Sequence, residues 1–298
     1  MSRHVVLGAG PVARAIVESL KKRNIDVDVV TRSGTEIAGA RAITANVLDT
    51  ENLAKVVAGA AAVYQASQPE YHRWPQEFPA LQDSVVRAVR GTDAVLVAVE
   101  NLYSYGPVLG PISEQHPLSA TTRKGNTRAE LWRSLEAEHR AGRLKATAGR
   151  ASDFFGPHVS ASAVGDRFFP PILNGRKAEV LGSADTLHTY TYVADFGEAL
   201  VRLALDERSL GRAWHVPNAP TVTTSAFLEA AASIAGVEPR LVVHSRAQVK
   251  LLGLFIAPVR ETVEMMYEFE EDFVVDHSAY TTRSEEHTSE LQSPCNLV

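Results

Sequence analysis

A glycine-rich turn close to the start of the chain constrains the fold more than any other feature. Residues 8–13 read GAGPVA and directly follow the apolar stretch His4 to Leu7, which predicts a short buried strand. From Val12 to Leu20, apolar residues recur at helical spacing. A strand, a glycine turn and an amphipathic helix in this order predict the first unit of a doubly wound parallel sheet.

Each small residue of this turn has a physical task in binding a dinucleotide. Gly8 permits a tight turn out of the strand, Gly10 lets the backbone approach a pyrophosphate, and Ala13 lets the helix pack close to the strand. The unpaired N–H groups of the first helical turn favour negative charge, and Pro11 suits this position because it has no N–H. We therefore expect Gly8, Gly10, Pro11 and Val12 to bind a nicotinamide dinucleotide.

The end of the second predicted strand indicates which dinucleotide is bound. An NAD site usually carries an acidic residue here, which accepts a hydrogen bond from the ribose 2′-hydroxyl. This chain has Arg32 and Ser33 instead. A guanidinium can pair with a 2′-phosphate through two charge-assisted hydrogen bonds, and a serine hydroxyl can add a third. NADP is therefore favoured over NAD, and the alternative is a solvated surface arginine.

Predicted strands and helices alternate up to residue 156, which is typical of a parallel sheet. The apolar run Ala94 to Val99 predicts a strand buried on both faces, and Ala129 to Arg140 predicts a helix. We predict an α/β fold: a Rossmann-type doubly wound parallel sheet with a smaller C-terminal substrate lobe. The expected Rossmann domain is 1–156, with 186–216 returning to it, and the lobe comprises 157–185 and 217–282.

Residues 283–298 have a different character. Arg283 to Ser293 read RSEEHTSELQS, which matches without interruption the translation of a common short-read sequencing adapter. A polar C-terminal tail is the alternative. We expect 283–298 to be a non-native tail produced by adapter read-through, and we exclude it from the reasoning about the fold.

Composition and charge argue against several classes of protein. The net charge is −5 with no basic block, so nucleic-acid binding has little support. No apolar run approaches the ~20 residues of a membrane span, and a strand at residue 4 leaves no room for a secretory signal. We expect a cytoplasmic protein. Cys295 is the only cysteine, which excludes an internal disulfide and a cysteine-based metal site.

Several later segments resemble the extended short-chain dehydrogenase/reductase superfamily, in its NAD-dependent epimerase/dehydratase branch. In that family the corresponding segments border the cofactor ribose, follow strand five, contact the nicotinamide end and precede the last helices. The resemblance covers about residues 4 to 235 and implies a Rossmann fold, a polar small-molecule substrate and a homodimer. The segments are Val63-Tyr64-Gln65-Ala66, Tyr105-Gly106-Pro107 with Glu114, residues 150–157 (RASDFFGP), residues 188–195 (HTYTYVAD) and residues 214–218 (WHVPN).

The catalytic part of the family pattern is missing. The family uses a Ser or Thr together with Tyr-x-x-x-Lys, and no Tyr-x-x-x-Lys occurs in this chain. Counting back from Glu130 as the acid of the family helix places Thr122 at the tyrosine position and Asn126 at the lysine position. Glu100 and Asn101 replace the serine pair before Tyr105.

Other side chains on the same edge remain candidates for the site. A proton donor is needed beside a nicotinamide, and Tyr103 and Lys124 are the catalytic candidates. Trp74, Tyr105, His188 and Tyr190 are candidates for substrate contacts, although each could instead be a packing residue. No spacing resembles a metal site. Further cofactor contacts are expected from Asn46, Val47, Ala66, Ser67, Asn101, Ala151 and Asp153.

Three hypotheses for the function follow. The first is an atypical NADP-dependent oxidoreductase that acts on a small polar substrate between the sheet and the lobe. The second is a non-catalytic NADP-binding sensor or regulator that has lost the catalytic residues. The third is a nucleotide-sugar epimerase or dehydratase, against which the missing tyrosine counts most because those reactions need that base.

Overall fold

The computed structural model describes residues 2–285, and the predicted alternation of strands and helices is present. The chain runs through strands β1 (Arg3–Leu7), β2 (Asp26–Thr31), β3 (Arg41–Thr44), β4 (Ala62–Gln65), β5 (Val95–Glu100), β6 (Lys145–Arg150), β7 (Asp153–Phe155), β8 (Ala178–Leu181), β9 (Leu187–His188), β10 (Tyr190–Tyr192), β11 (Ala213–His215), β12 (Val222–Thr223) and β13 (Leu241–His244).

The helices extend from the first βα unit to the C-terminal part of the described chain. They are α1 (Pro11–Lys22), α2 (Thr50–Val57), α3 (Trp74–Val89), α4 (Arg123–Arg140), α5 (Phe169–Leu173), α6 (Val193–Leu205), α7 (Thr224–Ala235), α8 (Arg246–Gly253), α9 (Ala257–Arg260) and α10 (Ser278–Glu285). Short 3-10 helices cover Tyr71–Arg73, Tyr103–Tyr105, Glu207–Ser209 and Val263–Phe269. None of the helices in this part of the chain is long and apolar enough to cross a membrane.

Seven parallel strands form the central sheet, in the order β3-β2-β1-β4-β5-β6-β11. The strand order reverses between β1 and β4, and the carboxyl ends of strands at such a point form the ligand crevice of an open α/β sheet. Gly8 follows β1 and Ala66 follows β4 at this crevice. The Rossmann-type fold predicted from the sequence is confirmed.

Helices cover both faces of the sheet because its strands are apolar on both sides. On one face α1 packs against α6, where a Cβ added at Gly197 would lie 2.5 Å from the Ala15 carbonyl carbon. On the other face α2, α3 and α4 pack through Leu53, Val85 and Leu135, which are all 0% exposed. These two layers fix the carboxyl ends of the strands and therefore the position of the crevice.

A smaller lobe follows the Rossmann part and has its own apolar core. Phe155, Phe168 and Phe227 are buried in it, and β8 pairs with β13. Residues 272–276 connect the lobe to the sheet, since the Ile112 amide donates to the Val274 carbonyl at 2.7 Å and the Thr189 amide donates to the Phe273 carbonyl at 2.9 Å. This segment runs along the side of the crevice.

The predicted non-native tail lies mostly outside the described residues. Its first residue, Arg283, belongs to α10, pairs with Asp206 at 3.1 Å and lies over the Trp214 ring. Residues 286–298, with Cys295, lie beyond the described part. The adapter origin and the predicted domain boundaries therefore remain predictions.

Candidate functional site

The glycine turn between β1 and α1 leaves its backbone open. Gly8 has a φ of +109°, and a Cβ there would lie 3.0 Å from the Ser67 nitrogen and 3.2 Å from the Ala66 carbonyl. Gly10, by contrast, would accept a Cβ with nothing within 4 Å. No side chain caps the N-terminus of α1. Its N–H groups, together with the helix dipole, suit an anion that approaches over Gly10 and Pro11.

The residues beside this turn also fit a dinucleotide. The Ser67 hydroxyl is buried without a hydrogen-bond partner among the described residues, so it can serve a ligand. Val12 and Val47 are 9% and 8% exposed, so they can form an apolar wall beside the turn. The exposed Asn46 accepts a hydrogen bond from the Leu48 amide at 3.1 Å, so its amide group is already partly engaged.

At the end of β2, Arg32 and Ser33 are exposed. The Ser33 hydroxyl lies 2.8 Å from the Thr35 hydroxyl. Arg32 has no hydrogen bond or ion pair with any described residue, whereas most guanidinium groups nearby are paired: Arg3 and Arg41 both bind Asp28. The Arg32 guanidinium is therefore free to pair with a phosphate at this corner.

Helix α4 places different residues in the crevice from those that the count from Glu130 predicted. Thr122 caps the helix, accepting a hydrogen bond from the Gly125 amide at 3.1 Å, and Asn126 is exposed. The buried pair is Lys124 and Arg128, at 0% and 6% exposure. Residues four apart share a helix face, so Lys-x-x-x-Arg lies where a pair at the Tyr-x-x-x-Lys spacing would face the crevice. The register counted from Glu130 stays a prediction, although it places Asn126, which is exposed, at the lysine position.

Lys124, a predicted catalytic residue, is fully engaged. Its ammonium donates to Glu261 at 2.7 Å and to Glu264 at 2.6 Å, and it lies 4.4 Å from the centre of the Tyr71 ring. Although burial opposes it, the hydrogen bond from Lys124 holds the pKa of Glu261 below its usual range. In this arrangement Lys124 ties the segment around Glu261 to α4, and its ammonium is held away from a substrate.

Arg128 is the buried cation at the strand ends. It donates to the Val99 carbonyl and to the Gln68 side chain at 3.3 Å each, while its Nε has no partner among the described residues. The rings of Trp74 and Phe78 lie 4.2 Å and 4.6 Å from the guanidinium. Burial lowers the pKa of Arg128 to about 10. Trp74, predicted to touch substrate, thus forms part of the wall that holds Arg128.

Tyr103 lies beyond β5 and faces Tyr71, whose hydroxyl donates to the Tyr103 hydroxyl at 3.4 Å. Burial raises the pKa of Tyr103 well above its usual value, and the nearby Tyr71, Glu268 and Asp153 raise it further. The Tyr103 hydroxyl therefore stays protonated, and no described residue accepts its hydrogen. The Asn101 side chain accepts a hydrogen bond from the Tyr103 amide at 3.3 Å and so shapes this turn.

Asp153 and His188 meet on the lobe side of the crevice. The His188 Nε2 lies 3.0 Å from the Asp153 carboxylate, and its Nδ1 lies 3.0 Å from the Glu268 carbonyl. Tyr190, beside them, directs its hydroxyl to Thr224 at 2.7 Å. Of the residues predicted for this side, Asp153 is the more exposed, with 19% of its side chain accessible against 2% for His188.

Tyr105 lies away from the crevice, within a buried polar network. Its side chain is 0% exposed, and its hydroxyl accepts a hydrogen bond from Arg150 at 2.7 Å and lies 2.8 Å from His215 Nε2. Arg150 also forms an ion pair of 2.8 Å with Glu100. Arg150 and His215 therefore occupy both sides of the Tyr105 hydroxyl, and the substrate contact of Tyr105 stays a prediction. Ala151, which directly follows strand β6, is 0% exposed.

Several residues of the site were missed by the sequence reasoning. Glu261, Glu264, Tyr267 and Glu268 come from the segment around the last 3-10 helix, beyond the resemblance to the family. Burial, with the charge of Asp153, raises the pKa of Glu268 well above its usual value. The one sequence signal for these acidic residues is that Lys124, if it is buried, needs an acidic partner. Within the described residues, no group of three or more His, Cys, Asp or Glu side chains could hold a metal ion.

Comparisons with known proteins agree with this geometry. The sequence matches the model of the NAD dependent epimerase/dehydratase family over residues 4–216. None of the curated proteins matches the sequence significantly. Among solved structures, UDP-glucuronic acid 4-epimerase from Bacillus cereus in complex with NAD has a TM-score of 0.74 and 14% identity, covering 94% of this chain and 91% of its own.

Two further structures share the fold over most of their length. UDP-glucose 4-epimerase from Thermus thermophilus, in complex with NAD, has a TM-score of 0.72 and 17% identity, and 95% of this chain and 93% of that chain are covered. dTDP-glucose 4,6-dehydratase from Bacillus anthracis, in complex with NAD, has a TM-score of 0.73 and 13% identity, with 96% and 91% covered. At these identities the likeness concerns the fold.

Proposed function

Because the chain belongs to the NAD dependent epimerase/dehydratase family, we propose that it is an enzyme that binds a nicotinamide dinucleotide and transfers hydride at a substrate carbon. The observation that carries this proposal is the open turn at Gly8 and Gly10, at the reversal point of the sheet, with a helix start that no side chain caps. Such a crevice binds a pyrophosphate in open α/β folds.

Residues from the loops after β2 and β4, from α4 and from β7 hold the cofactor in this proposal. When bound, the nicotinamide ring supplies or accepts the hydride. Ser67 offers an unpartnered hydroxyl, and Arg128 offers an unpartnered Nε. Arg32, with no partner among the described residues, supports NADP over NAD, since a guanidinium gains most from a phosphate dianion. Asp153 stays the proposed contact at the nicotinamide end.

The substrate lies, in this proposal, between Tyr103 and the lobe. Tyr103 keeps its proton and can donate a hydrogen bond to a substrate oxygen, because burial raises its pKa. Lys124 is not its activator, since two glutamates hold the ammonium. Tyr103 therefore orients the oxygen and stabilises charge that develops on it, and a different group has to transfer the proton.

Two reactions fit this site. Epimerisation or dehydration of a nucleotide sugar is favoured by the family, and the solved neighbours carry such names. Net oxidation or reduction of a small polar substrate is the second candidate, favoured by the replacement of the tyrosine base on α4 by Lys124. Both need hydride transfer, and they differ in whether the dinucleotide is consumed.

One set of assays separates these possibilities. Calorimetric titration with NADPH and NADH tests binding, and we expect tighter binding of NADPH. Proton NMR of UDP-glucose, UDP-glucuronic acid and dTDP-glucose after incubation detects epimerisation or dehydration without net cofactor change. Loss of NADPH absorbance with a panel of aldehydes, ketones and imines detects net reduction. Absence of binding to either dinucleotide refutes the proposal, and binding without turnover in any arm supports the sensor hypothesis.

A further inference from the structure

Both ring nitrogens of His188 face oxygen atoms. Nδ1 lies 3.0 Å from the backbone carbonyl of Glu268, and Nε2 lies 3.0 Å from Oδ2 of Asp153. A carbonyl oxygen can only accept a hydrogen bond, so Nδ1 carries a hydrogen. A neutral imidazole has one N–H, and therefore Nε2 would direct a lone pair at the carboxylate.

This geometry requires one additional proton. A bare Nε2 and an ionised carboxylate 3.0 Å apart would repel each other, with no hydrogen between them. The contact is a hydrogen bond only if His188 is an imidazolium or Asp153 is a carboxylic acid. In either form the pair holds one proton more than a neutral imidazole and a carboxylate do.

We propose that Asp153 and His188 share this proton and that Asp153 delivers it to the substrate oxygen, which gives the site the acid–base group that the missing tyrosine would supply. The inference rests on the proposed hydride-transfer function. Asp153 is the catalytic residue, because its side chain is 19% exposed and its Oδ2 holds the shared proton together with His188. His188, at 2%, acts through Asp153 as a positioning residue.

The surroundings keep the pair in place. The rings of Phe269 and Phe273 stack on His188 at 5.2 Å and 5.3 Å, and the His188 side chain is 2% exposed against 19% for Asp153. The titratable groups that face the pair come from every element packed against it. They are Tyr190 on β10, Glu268 on the 3-10 helix Val263–Phe269, Tyr71 on Tyr71–Arg73 and Tyr103 on Tyr103–Tyr105.

The charge of this shell favours a proton on the pair. Burial, with the charge of Asp153, raises the pKa of Glu268, and burial likewise raises the pKa of Tyr103. Both shifts favour the neutral form of these groups, and no cation contacts Asp153 among the described residues except His188. The positive charge of another residue in contact with Asp153 therefore does not oppose a proton on the pair.

The step balances in the direction of carbonyl reduction. A bound reduced nicotinamide dinucleotide would supply a hydride to the substrate carbon and be oxidised by this, and the C=O π pair would move to the oxygen. That oxygen forms an O–H bond with the proton of Asp153, while Tyr103 donates a hydrogen bond to it. The pair is left one proton short and takes a proton from water. The oxidative direction is the reverse: it starts from the pair that is one proton short, and Asp153 accepts the hydroxyl proton.

Nitrogen-15 NMR of the histidine side chains tests the proton count without any substrate. We assign His188 from the signal lost in His188→Gln and expect Nδ1 protonated, with Nε2 either protonated or strongly hydrogen-bonded. In Asp153→Asn the amide NH₂ can donate to Nε2, so we expect a neutral ring. A wild-type ring with a bare Nδ1, or one whose Nε2 is neither protonated nor strongly hydrogen-bonded, overturns the proposal.

Kinetics at saturating dinucleotide test delivery of the proton. Asp153→Asn should lower kcat at least about a hundredfold, the size of a general-acid contribution. His188→Gln should cost less and move the limb of the pH profile that reports the acid form to lower pH, because the pair then loses the ring that shares its proton. A merely structural histidine would leave that limb in place, which would refute its role.

Asp185→Asn is the matched control, since it removes an exposed carboxylate of the same lobe and should change neither quantity. Dinucleotide binding is measured for every variant. Wild-type protein that binds no dinucleotide would refute the proposed function, while the NMR result would still decide whether the pair holds the proton. Unchanged kcat in a folded Asp153→Asn that binds the cofactor would refute proton delivery alone.

Discussion

Alanine at each glycine of the turn should separate folding from cofactor binding. At Gly10 the backbone has φ −72° and an added Cβ meets nothing within 4 Å, so the folded protein accepts it. The lower helix-cap preference of alanine costs a few tenths of a kcal/mol, and the stiffer unfolded chain contributes about 0.4–1 kcal/mol in the opposite direction. The free energy of unfolding of Gly10→Ala should therefore stay within about 1 kcal/mol of wild type.

Binding should respond differently. The open space over Gly10 is the space that a pyrophosphate would occupy, so a methyl group there keeps the phosphate from the helix N-terminus. We expect the Kd for NADPH to rise at least about tenfold, which corresponds to about 1.4 kcal/mol. Urea unfolding measures the stability and calorimetric titration measures the affinity.

Gly8→Ala provides the contrast. Its φ of +109° costs about 1–3 kcal/mol for a residue with a side chain, and its Cβ would overlap the backbone at Ser67, which adds about 1–3 kcal/mol. Gly8→Ala should therefore unfold at clearly lower urea concentration. If Gly10→Ala binds NADPH as tightly as wild type, or Gly8→Ala is as stable as wild type, the assignment of the two glycines is wrong.

Three further predictions concern single residues. Arg32→Ala should weaken NADPH binding by about 1–3 kcal/mol and NADH binding much less, since the lost contact is to the 2′-phosphate; equal losses in titration would argue for NAD. Glu100→Gln should lower the free energy of unfolding by about 3–5 kcal/mol because the buried Arg150 loses its ion partner, and an unchanged melting temperature would contradict this. Burial, with the positive charge of Arg150, lowers the pKa of His215 to about 4, so the unfolded chain binds a proton at higher pH than the folded one. The free energy of unfolding should therefore fall by about 3 kcal/mol from pH 6.5 to pH 4. Urea unfolding at each pH measures this fall, which should be smaller in His215→Gln.

Local signals in the sequence were enough for the fold, while the cofactor contacts assigned from them stay predictions. The turn at Gly8 and Gly10 can be recognised from neighbouring residues alone. Small residues at these spacings are needed wherever a strand, a tight turn and a helix meet over a phosphate. The strand runs, such as Ala94 to Val99, are apolar throughout because both faces are covered. The family match over residues 4–216 agrees with both.

The chemical half of the site depends on contacts between distant segments. Periodicity alone did not reveal that Lys124 and Arg128, and not Thr122 and Asn126, occupy the buried side of α4. That choice depends on where the helix begins, and Thr122 is its cap.

Neighbouring residues in the chain were sufficient to predict that a phosphate-binding βα unit opens a doubly wound sheet, because such a unit is specified locally. Which charged groups meet in the crevice became clear from the folded molecule alone. Glu261 reaches Lys124 across 137 residues, and Asp153 reaches His188 across 35. Burial of a charge requires a partner, and the fold brings that partner from a part of the chain that no local pattern links to it.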